Sequence, residues 1–229
     1  SPWHGRRVLV TGFTGFLGAA VTRELLARGA TVIGLLRRRT TGQSRSPVQN
    51  SGRAHVVYGR AEDVARMHSA MAIHEVSAVF HLARVSPAAV LHAAERYHPQ
   101  LPVVTALPAE PLRLSTPKLD PSVPLGIARF GELFGPEDRQ HSHIVPRTIS
   151  GLLSGHRVSG ITGSSPRDFV FVQEAATACL TLAEAIATRG QSLECTFRSG
   201  WELTEVEIAS LISDVYAGRE GEPMRREVA

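Results

Sequence analysis

The sequence predicts an α/β fold built on a doubly wound parallel sheet, and three observations carry that reading. Strand-like and helix-like patterns alternate through about the first eighty residues. A glycine-rich loop separates the first strand pattern from the first helix pattern. The chain has 229 residues, 43% of them hydrophobic and 20% charged, which is enough apolar material to offset the ordering entropy of a sizeable core.

Arg7 to Thr11 reads as a short buried strand, and Phe16 to Arg28 as a helix with Leu17, Val21, Leu25 and Leu26 on one face. Thr31 to Leu36 is the second strand, His55 to Tyr58 the third and Ala78 to Ala83 the fourth. Arg37 to Arg53, rich in Arg, Ser, Thr and Gly, reads as a loop. A helix is expected over Val85 to Tyr97, and further strands over Leu101 to Ala106 and Leu125 to Phe130. Between those strands stand Pro108, Pro111, Pro117, Pro121 and Pro124, which exclude a long helix. Ser142 to Ser154, Gln173 to Ala187 and Glu205 to Ala217 read as helices, and Leu193 to Arg198 as a strand. The expected division is a dinucleotide-binding domain over 1–130 and a small truncated C-terminal lobe over 131–229, interleaved with the last elements of the sheet over 168–198.

Composition narrows the function. Net charge is +4, but acidic residues are interspersed and no basic, aromatic-laced stripe appears, so nucleic acid is not an expected partner. Only Lys118 is lysine among 25 basic residues, a bias that reads as that of a GC-rich bacterial genome. No apolar run reaches the roughly 18 residues of a membrane span, and Ser1 to Arg7 lacks the build of a secretory signal. A cytoplasmic protein without a membrane partner is expected. Cys179 and Cys195 lie in apolar segments without metal-ligand spacing and read as reduced thiols.

Thr11-Gly12-Phe13-Thr14-Gly15-Phe16-Leu17-Gly18 joins the first strand to the first helix, the context in which a glycine loop binds a dinucleotide on a Rossmann-type sheet. Gly12 permits the turn, Gly15 admits the pyrophosphate and Gly18 lets helix and strand pack closely. Phe13, Thr14, Phe16 and Leu17 complete the loop, and Leu82 and Ala83 border it from the fourth strand. The second strand ends in Arg37-Arg38-Arg39 with no acid nearby. Arg37 and Arg38 suit a 2′-phosphate, so NADP is the expected cofactor, with NAD as the alternative.

Three segments together resemble the extended short-chain dehydrogenase/reductase family, the NAD-dependent epimerases and dehydratases of nucleotide sugars. They are Val8 to Gly18, Val79-Phe80-His81-Leu82-Ala83, and the run from Ala128-Arg129-Phe130-Gly131-Glu132-Leu133-Phe134-Gly135-Pro136 to Arg167-Asp168-Phe169-Val170-Phe171-Val172. Ser142-His143-Ile144-Val145-Pro146 is most similar to the CDP-glucose 4,6-dehydratase branch. The resemblance implies a small-molecule substrate, either a nucleotide sugar or an antibiotic intermediate. In the family a Tyr-x-x-x-Lys helix transfers the proton. Here Leu114 stands four residues before Lys118, and Tyr58, Tyr97 and Tyr216 are followed at that distance by Glu62, Leu101 and Glu220. Ala106, Leu107 and Pro108 replace the family's paired serines, with Thr105, Ser115 and Thr116 the nearby hydroxyls. Glu132 stands where relatives carry a substrate-facing asparagine, and Arg60 replaces an acid.

Candidate acid/base groups are therefore His81, Glu132, Asp138, His141 and His143, which titrate usefully on segments that meet the cleft in relatives. His81 has a second reading, as a satisfied structural histidine. Arg84, beside the nicotinamide in relatives, Arg129, and Arg167, implied as a phosphate contact, are candidate substrate ligands; an ion pair of Arg167 bracing the lobe is the alternative. Two histidines two apart are too few for a metal site. The expectation is an epimerase/dehydratase-like protein of bacterial secondary metabolism that performs a redox-neutral isomerisation, cyclisation or elimination. A catalytically dead relative acting as an NADP(H)-binding sensor or scaffold is the alternative. The oligomeric state stays open.

Overall fold

The computed structural model describes residues 1–37, 52–109, 122–155 and 165–218. In chain order the elements are β1 (Arg7–Thr11), α1 (Phe16–Ala27), β2 (Thr31–Leu36), β3 (Ala54–Tyr58), α2 (Val64–Ile73), β4 (Ala78–His81), α3 (Ala88–Tyr97) and β5 (Val103–Pro108). There follow β6 (Leu125–Phe130), β7 (Glu132–Phe134), α4 (Ile144–Leu153), β8 (Arg167–Phe171), α5 (Val172–Arg189), β9 (Leu193–Phe197), β10 (Glu202–Leu203) and α6 (Glu205–Tyr216).

Seven strands pair in the order β3-β2-β1-β4-β5-β6-β9, and every pairing is parallel. This is the doubly wound sheet that the alternation predicts. Both faces are covered, so Val8, Leu9 and Val10 are all fully buried, alternating between two apolar clusters. One cluster joins the sheet to α1, α5 and Trp3; the other joins it to α2 and α3. Trp3 lies 5.8 Å from the Phe80 ring, donates its Nε1–H to Glu184 of α5 and carries the Arg6 guanidinium over its face. Cys179, fully buried on α5, has its thiol pushed up to about 12 by burial.

A second sheet, in the order β10-β8-β7, stands beyond the carboxyl end of β6. Its cluster of Ile144, Phe169, Leu203, Ile208 and Ala209 packs α4 and α6 against it. Gly131 makes the junction, because a Cβ there would lie 2.1 Å from the Asp168 carbonyl oxygen. Chain crosses between the two sheets repeatedly: β8 belongs to the small sheet, and α5 and β9 return to the large one.

Several elements differ from the sequence reading. The stretch after β3, unassigned from sequence, is α2, capped by Asp63, which accepts from the Arg66 N–H at 3.0 Å. β4 stops at His81, and α3 starts only after Pro87, a residue that helices accept at their start. β5 is displaced two residues toward Pro108, following its register from Val103 opposite Leu125 to Pro108 opposite Phe130. Pro111, Pro117, Pro121 and Lys118 lie outside the described residues. Among the described residues no helix is long and apolar enough to cross a membrane, and no group of three His, Cys, Asp or Glu converges for a metal ion.

Candidate functional site

In a parallel sheet, ligands bind outside the carboxyl ends of the strands where the order reverses. Here that point lies between β1 and β4, and the glycine loop leaves β1 into it. Gly12 has φ 71°, and a Cβ on it would stand 2.7 Å from backbone atoms of Leu82 and Ala83. Gly18 is tighter, its Cβ position being 2.0 Å from the Gly12 carbonyl oxygen. Gly15 differs from both. Its φ is −77°, and only the Gly12 oxygen, at 3.1 Å, would meet a Cβ there.

Gly15 is also the N-cap of α1, where no side chain accepts from the first backbone N–H groups and the first turn holds no acid. Those groups and the positive helix end form a cradle whose donors fit a pyrophosphate. Thr14 is exposed, whereas Phe16 and Leu17 are half-buried against the core. Phe13 is 1% exposed, and its ring lies where a Cβ on Gly34 of β2 would be. Its part is therefore to seat the loop on the sheet, and the unremarked Gly34 in the second strand is the sequence signal for that packing.

His81 is buried and holds this cleft together. Val85 O can only accept, so His81 Nε2–H donates to it at 2.9 Å, leaving Nδ1 to accept from the Thr11 hydroxyl at 2.9 Å. The same hydroxyl accepts from the Ala83 N–H at 3.4 Å, and Thr105 Oγ1 donates to the His81 carbonyl at 3.0 Å. Burial first, opposed by the bond to Val85, holds the His81 ring below the ordinary histidine range. Both ring nitrogens are occupied within the protein, and β1, β4 and β5 are cross-tied through this residue.

Arg37 and Arg84 are exposed at the ends of β2 and β4 and make no ion pair among the described residues; Arg38 lies outside them. On the lobe side Arg129, Arg147 and Arg167 are paired. Arg129 pairs with Glu194 and donates to the Pro108 carbonyl at 3.1 Å. Arg167 meets Glu132 at 2.9 Å and Glu205 at 3.7 Å, and Arg147 meets Glu205 at 3.3 Å. Asp168 does not join this array. Its carboxylate accepts from the Ser199 hydroxyl at 2.8 Å and from the Ser199 and Gly200 N–H groups, holding the turn after β9.

Between β7 and α4 the chain runs through the loop 135–143, tied to α1 by Glu137 and Arg23 at 2.6 Å. Here Asp138 and His143 come together, which their spacing alone does not reveal. The Asp138 side chain is 3% exposed and accepts from the Gln140 N–H at 3.1 Å, and its second oxygen lies 2.8 Å from His143 Nδ1. A carboxylate accepts the Nδ1–H, so the neutral His143 ring presents Nε2 as its free base. His141 is exposed in the same loop.

A family model described as the NAD dependent epimerase/dehydratase family matches residues 8–99 and 120–194. Among solved structures, the Bordetella bronchiseptica enzyme WbmH, in complex with NAD+, is similar at 19% identity and TM-score 0.74, over 96% of this chain and 84% of its own. The UDP-glucose 4-epimerase of Thermotoga maritima, solved with UDP-glucose, matches at 18% identity and TM-score 0.73, covering 95% and 84%. That of Brucella ovis, in complex with NAD, matches at 17% and 0.73, covering 91% and 82%. No curated protein matches this chain.

Proposed function

This chain belongs to the NAD dependent epimerase/dehydratase family, and on that premise we propose that it binds a nicotinamide dinucleotide, NADP in preference to NAD, and rearranges a small biosynthetic intermediate without net redox change. The observation that carries the reading is the loop Gly12–Gly18, uncapped at Gly15 and seated at the β1–β4 switch point. The backbone N–H groups of Phe16, Leu17 and Gly18 would hold the pyrophosphate, Gly15, whose own N–H closes the turn onto the Gly12 carbonyl at 2.8 Å, would let it approach, Leu82 and Ala83 would floor the cleft, and Arg37 with Arg38 would meet the 2′-phosphate. When bound, the nicotinamide supplies a reversible hydride acceptor.

The chain's own residues must move the proton, since no tyrosine is followed by lysine at the fourth position. His143 Nε2 is the proposed proton acceptor and donor, with Asp138 fixing the ring. His81, with both nitrogens spent, is assigned to bracing the cleft. Arg84 would take an anionic or carbonyl group beside the nicotinamide. The missing Tyr-x-x-x-Lys pair also favours a second reading, a relative that binds NADP(H) without turnover.

Calorimetric titration with NADP, NADPH, NAD and NADH tests the cofactor. Micromolar binding of a phosphorylated form is expected, abolished by Gly15→Val, a position where a Cβ would meet one protein atom, the Gly12 carbonyl oxygen at 3.1 Å. Joint Arg37→Ala and Arg38→Ala replacement should weaken NADP far more than NAD; equal losses would sink the 2′-phosphate assignment. The dyad has its own readout. Nitrogen-15 NMR should find the Nδ1–H tautomer on His143 and lose that preference in Asp138→Ala; unchanged tautomers would remove Asp138 from the mechanism.

A further inference from the structure

We infer that Glu132 is a specificity-determining residue, closing the lobe side of the cleft to diphosphates and leaving it suited to an uncharged, hydroxyl-bearing part of the substrate. The inference rests on the cleft being the ligand site proposed above. Cations at the mouth fall into two groups. Arg37 and Arg84, above β2 and β4, make no ion pair among the described residues, although beside them Arg60, after β3, meets Glu62 at 3.5 Å and the Arg37 charge also acts on that carboxylate. Across the cleft, Arg129, Arg147, Arg167 and Arg198 are each held by a glutamate, and the exposed Arg139 of the 135–143 loop is the exception among the described arginines there.

Glu132 sets this pattern at the point nearest the sheet. It is the second residue after β6, so it stands at the carboxyl ends, and it holds Arg167 at 2.9 Å while Glu205 lies 3.7 Å from the same guanidinium. Glu132, Arg167, Glu205 and Arg147 together carry no net charge. A diphosphate seeking Arg167 must expel Glu132, then lie against a carboxylate left without its partner. Stability does not account for the pair, because both side chains are 41% exposed and such pairs contribute little to folding. A neutral polyol meets no such conflict: Glu132 accepts its hydroxyl protons, and Arg167 retains N–H donors for its oxygens.

The test is titration of UDP-glucose into the wild-type chain, Glu132→Gln and Glu132→Asp, each with and without saturating NADPH. Wild type and Glu132→Asp should show no binding below about 1 mM, and Glu132→Gln, which removes one of the two carboxylates at Arg167 without changing shape, should gain about tenfold or more. Micromolar binding by the wild type overturns the inference, as does a Glu132→Gln affinity no better than wild type. An equal gain in Glu132→Asp also overturns it, since space rather than charge would then decide. NADPH binding itself should be the same in all three chains. Its absence from all three would defeat the proposed function, while the comparison of UDP-glucose affinities would still read the charge effect.

Discussion

His81 illustrates how a residue that looks chemically active from its position can be spent on structure. Both its ring nitrogens are used within the protein, and burial holds the ring below the ordinary histidine range. His74, beside His55 at the opposite end of the sheet, is also held below the ordinary range, chiefly by burial and then by the neighbouring imidazole. For both, the unfolded chain takes up a proton near pH 6.5 while the folded chain resists it. Stability should therefore be fully present above about pH 6.5 and fall as the pH drops through the lower folded values. Urea midpoints at pH 7.5 and 5.5 check this; a midpoint level or higher at pH 5.5 would contradict it. The site residues divide on the same ground. Gly12 and Gly18 were legible from spacing because their backbone demands are local, whereas the Asp138–His143 pair and the arginine–glutamate array depend on which loops meet.

Among the elements, those with a strong local signature are the ones the sequence displays. β1, β2 and β6 are short apolar runs whose bounds agree with the expectation to the residue. α2 escapes because only Met67, Ala70 and Met71 are buried along it, too sparse a stripe to stand out. β7 and β10 span three and two residues, and no periodicity is readable at that length, while β8 opens on the charged pair Arg167 and Asp168 and so lacks the apolar run that marks β1. α6 carries a stronger signal, a capping box in which Thr204 Oγ1 accepts from the Glu207 N–H at 3.2 Å and Glu207 accepts from the Thr204 N–H at 2.7 Å. Thr204→Ala should cost about 1 kcal/mol, measured as a loss of helicity and a lower urea midpoint for the lobe. An unchanged midpoint would mean that packing on α4 alone holds the helix.

At the scale of the molecule, the two sheets have very unequal cores. Among the described residues the cluster on the α1–α5 side holds 24 buried residues and the lobe cluster five, so the lobe should open first under mild denaturant. The two tryptophans report on the two parts: Trp3 is fully buried against the large sheet, and Trp201, 64% exposed, precedes β10. In Trp3→Phe the fluorescence transition should come at lower urea than in Trp201→Phe; coincident transitions would mean that the sheets unfold as one unit.

The return of α5 and β9 from the small sheet to the large one has a consequence for how the chain is made. Ribosomes deliver the N-terminal residues first, yet the edge of β6 acquires its partner only when Leu193 to Phe197 emerge, and α1 acquires α5 only just before. Until then the nascent sheet presents the open edge of β6 and an apolar face covered only by α1 and Trp3, the condition in which chains capture one another. A ribosome stalled after about residue 165 would therefore hold a sticky, half-covered intermediate, and chaperone demand should peak in the interval before the final strand clears the exit tunnel.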